Sequence, residues 1–166
     1  MDALWAPWRM AYIDRSNDRK DSGCIFCSRI SRRRDSEDLI VWRGRLVTVF
    51  MNRFPYNNGH LMVAPNRHLA RLSDLNQKEV LELHRLKALS LAALERAMRP
   101  AGYNLGLNLG KTAGAGVLDH IHWHIVPRWE GDTNFMPVIA ETKVMPEHLR
   151  STYKKLRKAF IEAASK

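Results

Sequence analysis

The sequence predicts an α+β domain of about five antiparallel strands, with a long helix and a C-terminal helix on one face of the sheet. Three observations carry this reading. Short β-rich runs punctuated by turn residues occupy 39–64 and recur over 103–126. One long stretch with apolar residues at helical spacing separates the two groups, and a second such stretch closes the chain. The composition of the 166 residues, 45% hydrophobic and 27% charged, is that of a folded chain with its own core. A mean hydropathy of −0.37 excludes a disordered polyelectrolyte. No internal repeat or low-complexity linker divides residues 1–166, so one domain is expected, with 1–23 as an N-terminal extension and 143–166 as the C-terminal helical segment.

Taken in order, Leu39-Ile40-Val41-Trp42 and Leu46-Val47-Thr48-Val49-Phe50 flank Arg43-Gly44-Arg45 as a hairpin. Residues 52–59 are dense in Asn, Pro and Gly and read as a turn, after which His60-Leu61-Met62-Val63-Ala64 forms a third strand ended by Pro65. Asn76 and Glu79 make a capping box for the long helix. Val80, Leu83, Leu91, Leu94 and Met98 align on it, and Pro100 with Gly102 stops it. Tyr103–Asn108 and Ile121–Val126 are two further strands. The last helix starts near Pro146, with Leu149, Tyr153, Leu156, Phe160 and Ala163 on one side and Arg150, Lys154, Arg157 and Lys158 on its wet side.

The formal net charge is +10. Half of that excess lies in 143–166, where seven basic residues face two acidic ones, and a small cluster sits at Arg32-Arg33-Arg34. Such runs are usually solvated faces; the alternative is a phosphate-rich partner. No stretch approaches the ~20 apolar residues of a membrane span. The first residues lack a charged segment followed by an apolar run, so a cytoplasmic protein is expected. Two cysteines cannot build a disulfide framework, and Cys24-Ile25-Phe26-Cys27 has a spacing suited to metal or redox chemistry.

The most informative segment is His120-Ile121-His122-Trp123-His124-Ile125-Val126. In a strand, alternate side chains share a face, so the three histidines project together while Ile121, Trp123 and Ile125 project oppositely. Such an imidazole ladder suits either metal ligation or covalent catalysis by a neutral imidazole. The loop before it, 108–116, holds Gly110, Gly114 and Gly116, which lets backbone N–H groups approach an anion beside the ladder. Gly110-Lys111-Thr112 is not a P-loop: the required upstream glycine position is Leu105, and a strand rather than a helix follows.

With these residues the sequence resembles the histidine triad (HIT) nucleotide-binding proteins. The resemblance rests on the His-φ-His-φ-His-φ-φ run at His120–Val126, and extends to Asn108 and Gly110, to Phe50-Met51-Asn52-Arg53 and to Gly59–Pro65. Leu4–Arg9 and Pro127–Pro137 are similar to a narrower branch of prokaryotic phosphorylases and hydrolases of dinucleoside polyphosphates. The resemblance implies that His122 attacks the α-phosphorus of a nucleotide and forms a nucleotidyl-imidazole intermediate. It implies that His124 and His60 hold the phosphate and serve the proton network, and that Asn108 contacts the phosphate chain. Asn52 would bind the ribose, Phe26 and Phe50 would flank the base, and Gly114, Ala115 and Gly116 would lie along the substrate. Trp129 would stack on a base, contact the phosphates, or pack in the core or a dimer. Some relatives hold a structural zinc through positions that here are Cys24, Cys27, His68 and His120, a Cys₂His₂ set without an open ligand position. His84 and His148 read as surface residues.

The hydrolase relatives carry a Gln and a Ser or Thr shortly before the first histidine, whereas this chain has Ala115-Gly116-Val117-Leu118. That difference favours inorganic phosphate over water as the second acceptor. The expectation is therefore a homodimeric enzyme acting on an adenine-favoured dinucleoside polyphosphate by phosphorolysis. Its rivals are a hydrolase of dinucleoside polyphosphates or of AMP phosphoramidates and acyl-adenylates, and a zinc-stabilised nucleic-acid-binding module. The last lacks helix-turn-helix, RNA-recognition or zinc-finger spacing.

Overall fold

The computed structural model describes residues 23–132 and 147–165. The Leu4–Arg9 motif, most of the 1–23 extension, residues 133–137 and the expected helix start near Pro146 lie outside them. Five strands form one sheet: β1 (Ile40–Arg43), β2 (Val47–Met51), β3 (Leu61–Pro65), β4 (Gly102–Leu107) and β5 (Trp123–Arg128). Their spatial order is β1-β2-β3-β5-β4, and every neighbouring pair is antiparallel. Among the described residues three α-helices accompany them, α1 (Ile25–Arg32), α2 (Gln77–Met98) and α3 (Leu149–Ala164). The α+β reading holds, and the two long helices share one face as expected.

Period-two alternation assigns the faces. Val47, Val49, Met51, Leu61, Val63 and Ile125 pack against Leu83, Leu86, Ala93 and Leu94 of α2 and Leu156, Ala159 and Phe160 of α3. The opposite face carries Ile40, Phe50, Met62 and Ala64, closed by Phe26 of α1. The helix α1 was not anticipated and lies on the face opposite the other two, correcting the picture of helices on one side. A single cross-strand row runs Ile40–Phe50–Met62–His124–Gly106 through all five strands. Along that row the side chains change from buried and apolar, under α1, to imidazole and then to none. The sheet thus opens a polar surface where β5 meets β4.

Several local devices hold this frame. The Asn76–Glu79 capping box is present, each side chain accepting the other residue's N–H at 3.0 Å. Glu82 accepts the N–H groups of Arg45 and Leu46, both at 2.8 Å, and locks the β1–β2 hairpin to α2. A Cβ at Gly44 would collide with that carboxylate and lie 2.7 Å from the backbone oxygen of Val47, so only glycine fits the turn. Helix α3 caps the outer edge of β1: Tyr153 Oη donates to Ile40 O at 3.1 Å and Arg157 to Val41 O at 2.8 Å. Arg157 is therefore only partly a solvent-facing residue. On α2 the buried stripe centres on Leu86, Ser90 and Ala93, and Val80, expected inside, is half exposed at its margin. The other edge of the sheet, β4, leaves Asn104, Leu105 and Gly106 exposed.

Candidate active site

The three histidines of 120–124 do share a side of the chain, but only His124 lies within β5, which starts at Trp123 rather than Ile121. The approach to the strand is tied down by other bonds. The N–H of Ile121 donates to Leu69 O at 2.7 Å, and His122 folds its own ring onto the preceding backbone. Each imidazole then meets a different environment.

His122 is buried, and its Nδ1 lies 2.9 Å from His120 O. A carbonyl only accepts, so Nδ1 carries the proton and Nε2 keeps its lone pair. Burial pushes the pKa of His122 down, against the opposing pull of the His120 carbonyl. The group is therefore a neutral imidazole with a defined nucleophilic nitrogen. Phe26 braces it, with ring centroids 4.8 Å apart.

His124 belongs to a chain of donors. The Tyr56 N–H donates to His60 Nδ1 at 3.0 Å, which places the His60 proton on Nε2; that N–H points at His124 Nδ1, 2.9 Å away. The neutral His124 consequently presents an Nε2–H donor. Burial, reinforced by the neighbouring His122, lowers its pKa to about 4. Asn52 Nδ2 stands 3.3 Å from the same His60 nitrogen, and Asn52 Oδ1 accepts the Phe54 N–H at 3.0 Å. Asn52, expected at the ribose, is buried and braces this relay. The Tyr56 ring lies against both imidazoles, 4.7 Å from His60 and 5.7 Å from His124.

His120 turns the other way, into the cluster of Cys24, Cys27 and His68. One ligand atom from each of the four lies within 4.8 Å of every other. His120 Nδ1 is 3.1 Å from Cys24 Sγ and 3.6 Å from Cys27 Sγ, and His68 Nδ1 is 3.5 Å from Cys27 Sγ. His120 Nε2 is 2.9 Å from Pro65 O, so it carries the proton and leaves Nδ1 as the ligating nitrogen. Two thiols and two imidazoles at these separations suit a tetrahedral cation such as zinc. Burial, together with the Cys24 thiol, raises the pKa of Cys27, a shift that a bound cation would reverse.

The remaining predicted residues fall as follows. Phe26 and Phe50 have no exposed surface and meet edge to face at 5.3 Å. In this conformation Phe26 packs against the His120 and His122 rings with Phe50 behind it, rather than the two walling an open base pocket. Asn108 is half-buried and donates from Nδ2 to Gly114 O at 3.3 Å. The N–H groups of Gly114 and Ala115, expected to face an anion, close the loop on Lys111 O and Gly110 O. Gly116 is exposed, and Trp129 is half-buried on the turn after β5. His84 and His148 are exposed, as expected. A cleft of about 430 Å³ opens beside His124, and a second of about 230 Å³ lies on the Ile121 side; Asn108 borders both. The larger one brings in Tyr56, Asn104, Arg128 and Asp132, which the sequence reading did not single out.

Three imidazoles carried on and just before the interior strand β5, with a donor relay on one side and a thiol–imidazole cluster on the other, have the arrangement of the histidine triad class. Residues 33–131 match the HIT domain, and the chain belongs to that family. It is 40% identical over 157 residues to an AP-4-A phosphorylase of Mycobacterium tuberculosis, covering 92% of this chain and 80% of that protein. Among solved structures, a histidine triad nucleotide-binding protein from Sulfolobus tokodaii superposes with a TM-score of 0.67 at 28% identity, over 86% of this chain and 92% of that one. A Zn-bound histidine triad family protein from Mycobacterium smegmatis shares the fold, with a TM-score of 0.69 at 24% identity, over 86% of this chain and 96% of that one.

Proposed function

We propose that this chain cleaves dinucleoside polyphosphates of the diadenosine tetraphosphate kind, passing an adenylyl group first to His122 and then to inorganic phosphate. The observation that carries the reading is the fixed tautomer of His122, whose Nε2 lone pair is held ready by the bond from Nδ1 to the His120 carbonyl. The 40% identity to an AP-4-A phosphorylase supports the substrate class.

In the first step, Nε2 bonds to the α-phosphorus and the P–O bond to the rest of the polyphosphate breaks. The leaving chain departs as an anion and needs no proton. The imidazole becomes a phosphorylated cation, stabilised because its Nδ1–H already points at a carbonyl oxygen. His124, kept neutral by burial, offers its Nε2–H to a non-bridging phosphoryl oxygen, and the fixed proton on His60 prevents its ring from flipping to the wrong tautomer. In the second step, a phosphate oxygen attacks the same phosphorus, the P–N bond breaks, and His122 returns to its starting form. Diadenosine tetraphosphate and phosphate thereby give ADP and ATP. The side chains of Ala115, Val117 and Leu118 offer nothing that would orient a water, which supports phosphate as acceptor.

Cys24, Cys27, His68 and His120 would hold zinc, which with four protein ligands supplies structural cross-linking rather than chemistry. It would pin α1, and so Phe26, to the segment that bears His122. The exposed edge of β4 supports a homodimer in which two sheets join antiparallel. Among the described residues no helix is long and apolar enough to cross a membrane. Lys155 pairs with Glu147 at 2.5 Å and Arg157 bonds Val41 O, so α3 offers less free positive charge to a nucleic acid than its sequence suggests.

Incubation of diadenosine tri- and tetraphosphate with and without phosphate tests this reading. Phosphate-dependent ADP and ATP from the tetraphosphate are expected; AMP and ATP whatever the phosphate concentration would overturn phosphorolysis. His122→Ala should lower turnover by roughly 10³-fold or more, the usual consequence of losing a nucleophile. An unchanged rate would remove His122 from the mechanism.

A further inference from the structure

The larger cleft has a floor that neither the fold nor the nucleophile requires. On β4, Gly106, Asn104 and Gly102 lie opposite His124, Val126 and Arg128 of β5, on the face that bears the histidines. Neither Gly102 nor Gly106 has a positive φ, so backbone conformation does not demand glycine at either place. A Cβ added at either meets no atom within 4 Å. With no side chain at Gly106 a trough opens beside His124, flanked by Tyr56 and lined by Asn104, Val126 and Arg128, and Gly102 continues the row opposite Arg128.

Arg128 stands at the far end of that trough. Asp132 accepts its Nε–H at 2.6 Å and one NH2 hydrogen at 2.8 Å, and Asn104 Oδ1 accepts from NH1 at 2.7 Å. Asp132 is itself held by Asn57 at 2.8 Å and by the Trp129 N–H at 3.1 Å. The guanidinium is thus fixed as a plane, with three of its five N–H groups engaged among the described residues. Its side chain is 43% exposed, whereas that of Asp132 is 8% exposed. At a strand rise of ~3.3 Å per residue, Arg128 starts ~13 Å along β5 from His124. Its guanidinium leans back to Asn104, opposite Val126, and borders the same cleft as His124. From there it meets the far portion of a chain that starts at His122 and runs past His124.

We infer that the Gly106–Asn104–Gly102 trough binds the departing polyphosphate of the dinucleotide, with Arg128 contacting its distal phosphates. The inference rests on the proposed transfer at His122 and adds what selects the leaving group. Arg128 recognises phosphate through directional N–H bonds, since its pairing with Asp132 leaves little net charge for long-range attraction. The acceptor phosphate is a single group held at the reacting phosphorus, with no distal portion to extend toward Arg128.

Two variants test the trough. Arg128→Gln should raise KM for diadenosine tetraphosphate roughly 10- to 100-fold, the scale of a lost charge-assisted hydrogen bond, while KM for inorganic phosphate stays at the wild-type value. Arg128→Lys should recover part of the loss. Gly106→Val, which adds bulk where the free protein has space, should lower kcat/KM for the tetraphosphate by a similar factor without lowering Tm. The inference is overturned by a KM for the tetraphosphate that neither variant changes, by a rise confined to KM for phosphate, or by a fall in Tm as the sole effect. Should the wild-type protein turn over no dinucleotide, the proposed function fails. The trough is then judged by binding of inorganic tripolyphosphate: weakening in both variants supports it, and unchanged affinity overturns it.

Discussion

His120 and His124 stand two residues either side of His122, the proposed nucleophile, yet the fold gives them opposite surroundings. His120 is completely buried, donates from Nε2 to the Pro65 carbonyl, and turns Nδ1 toward two thiols. His124 borders an open cleft, accepts at Nδ1 from His60, and presents Nε2–H outward. The two ring nitrogens have exchanged roles, and the exchange is made by a backbone carbonyl in one case and an imidazole in the other. In the proposed mechanism one end of the triad is a tether and the other an instrument. Identical side chains at regular spacing do not establish identical function; the partner of the second nitrogen decides.

The sharpest way to break this comparison is to remove one end and measure both stability and activity. His124→Gln should lower kcat/KM by roughly 10²- to 10⁴-fold, the range for a positioned proton donor, and leave Tm nearly unchanged. His60→Ala should show the same split to a smaller degree, because it disturbs the tautomer of His124 without removing the ring. If either variant mainly unfolds the protein, the instrument reading of that end is wrong.

Removing the tether should do the reverse. Cys24→Ala, or a strong chelator on the unmodified protein, should lower Tm by several degrees, since each kcal/mol is worth roughly 2–4 °C in a domain of this size. The activity of the molecules that remain folded should fall less than tenfold. Thermal melts with metal content determined on the same samples decide the matter. Full stability with lost turnover would move the cluster from structure to chemistry.

The two ends were not equally legible in the sequence. The histidine spacing was plain, as were the Asn76–Glu79 capping box and the Gly44 hairpin, because each is a local pattern with a local cause. The helix α1 escaped notice because its start at Cys24 has no side-chain cap, and tertiary contacts hold it instead. Arg29 donates to the carbonyls of Asp38 and Met51, and Phe26 fills the pocket behind His122. The spacing of Phe26 and Ile30 was its one local signal. Tyr56, Asn104, Arg128 and Asp132 were missed for a similar reason. They converge only through the β3–β5–β4 strand order, which no short window of sequence reveals.

A pH series sharpens the comparison at a smaller scale. His124 has a folded pKa of about 4, below the ordinary histidine value of 6.5, so the unfolded chain binds more protons between those limits. Its contribution to stability is therefore complete above pH 6.5, is lost as the pH falls from 6.5 towards 4, and changes no further below that. Urea titrations across this window should show stability falling with acidification, and His124→Gln should flatten the curve by up to one proton. A curve that the substitution leaves unaltered would mean that His124 is not held neutral by its surroundings.

The smallest effect belongs to the periphery of the tether. His68 is the exposed member of the cluster, and its Nε2 lies 3.6 Å from a carboxylate oxygen of Asp119. Outer partners of ligating histidines normally matter because they fix the tautomer and raise ligand basicity. Here the Asp119 side chain is 67% exposed and that of His68 46%, so water can replace the contact at little cost. His120 has the same kind of partner in Pro65 O, but as buried backbone that no substitution removes. Asp119→Asn should accordingly weaken metal binding less than tenfold and leave turnover at the wild-type rate. Competition against a chelator of known affinity measures the first and a kinetic assay the second. A larger loss of affinity would show that the exposed half of the cluster, rather than buried His120, governs how tightly the tether is closed.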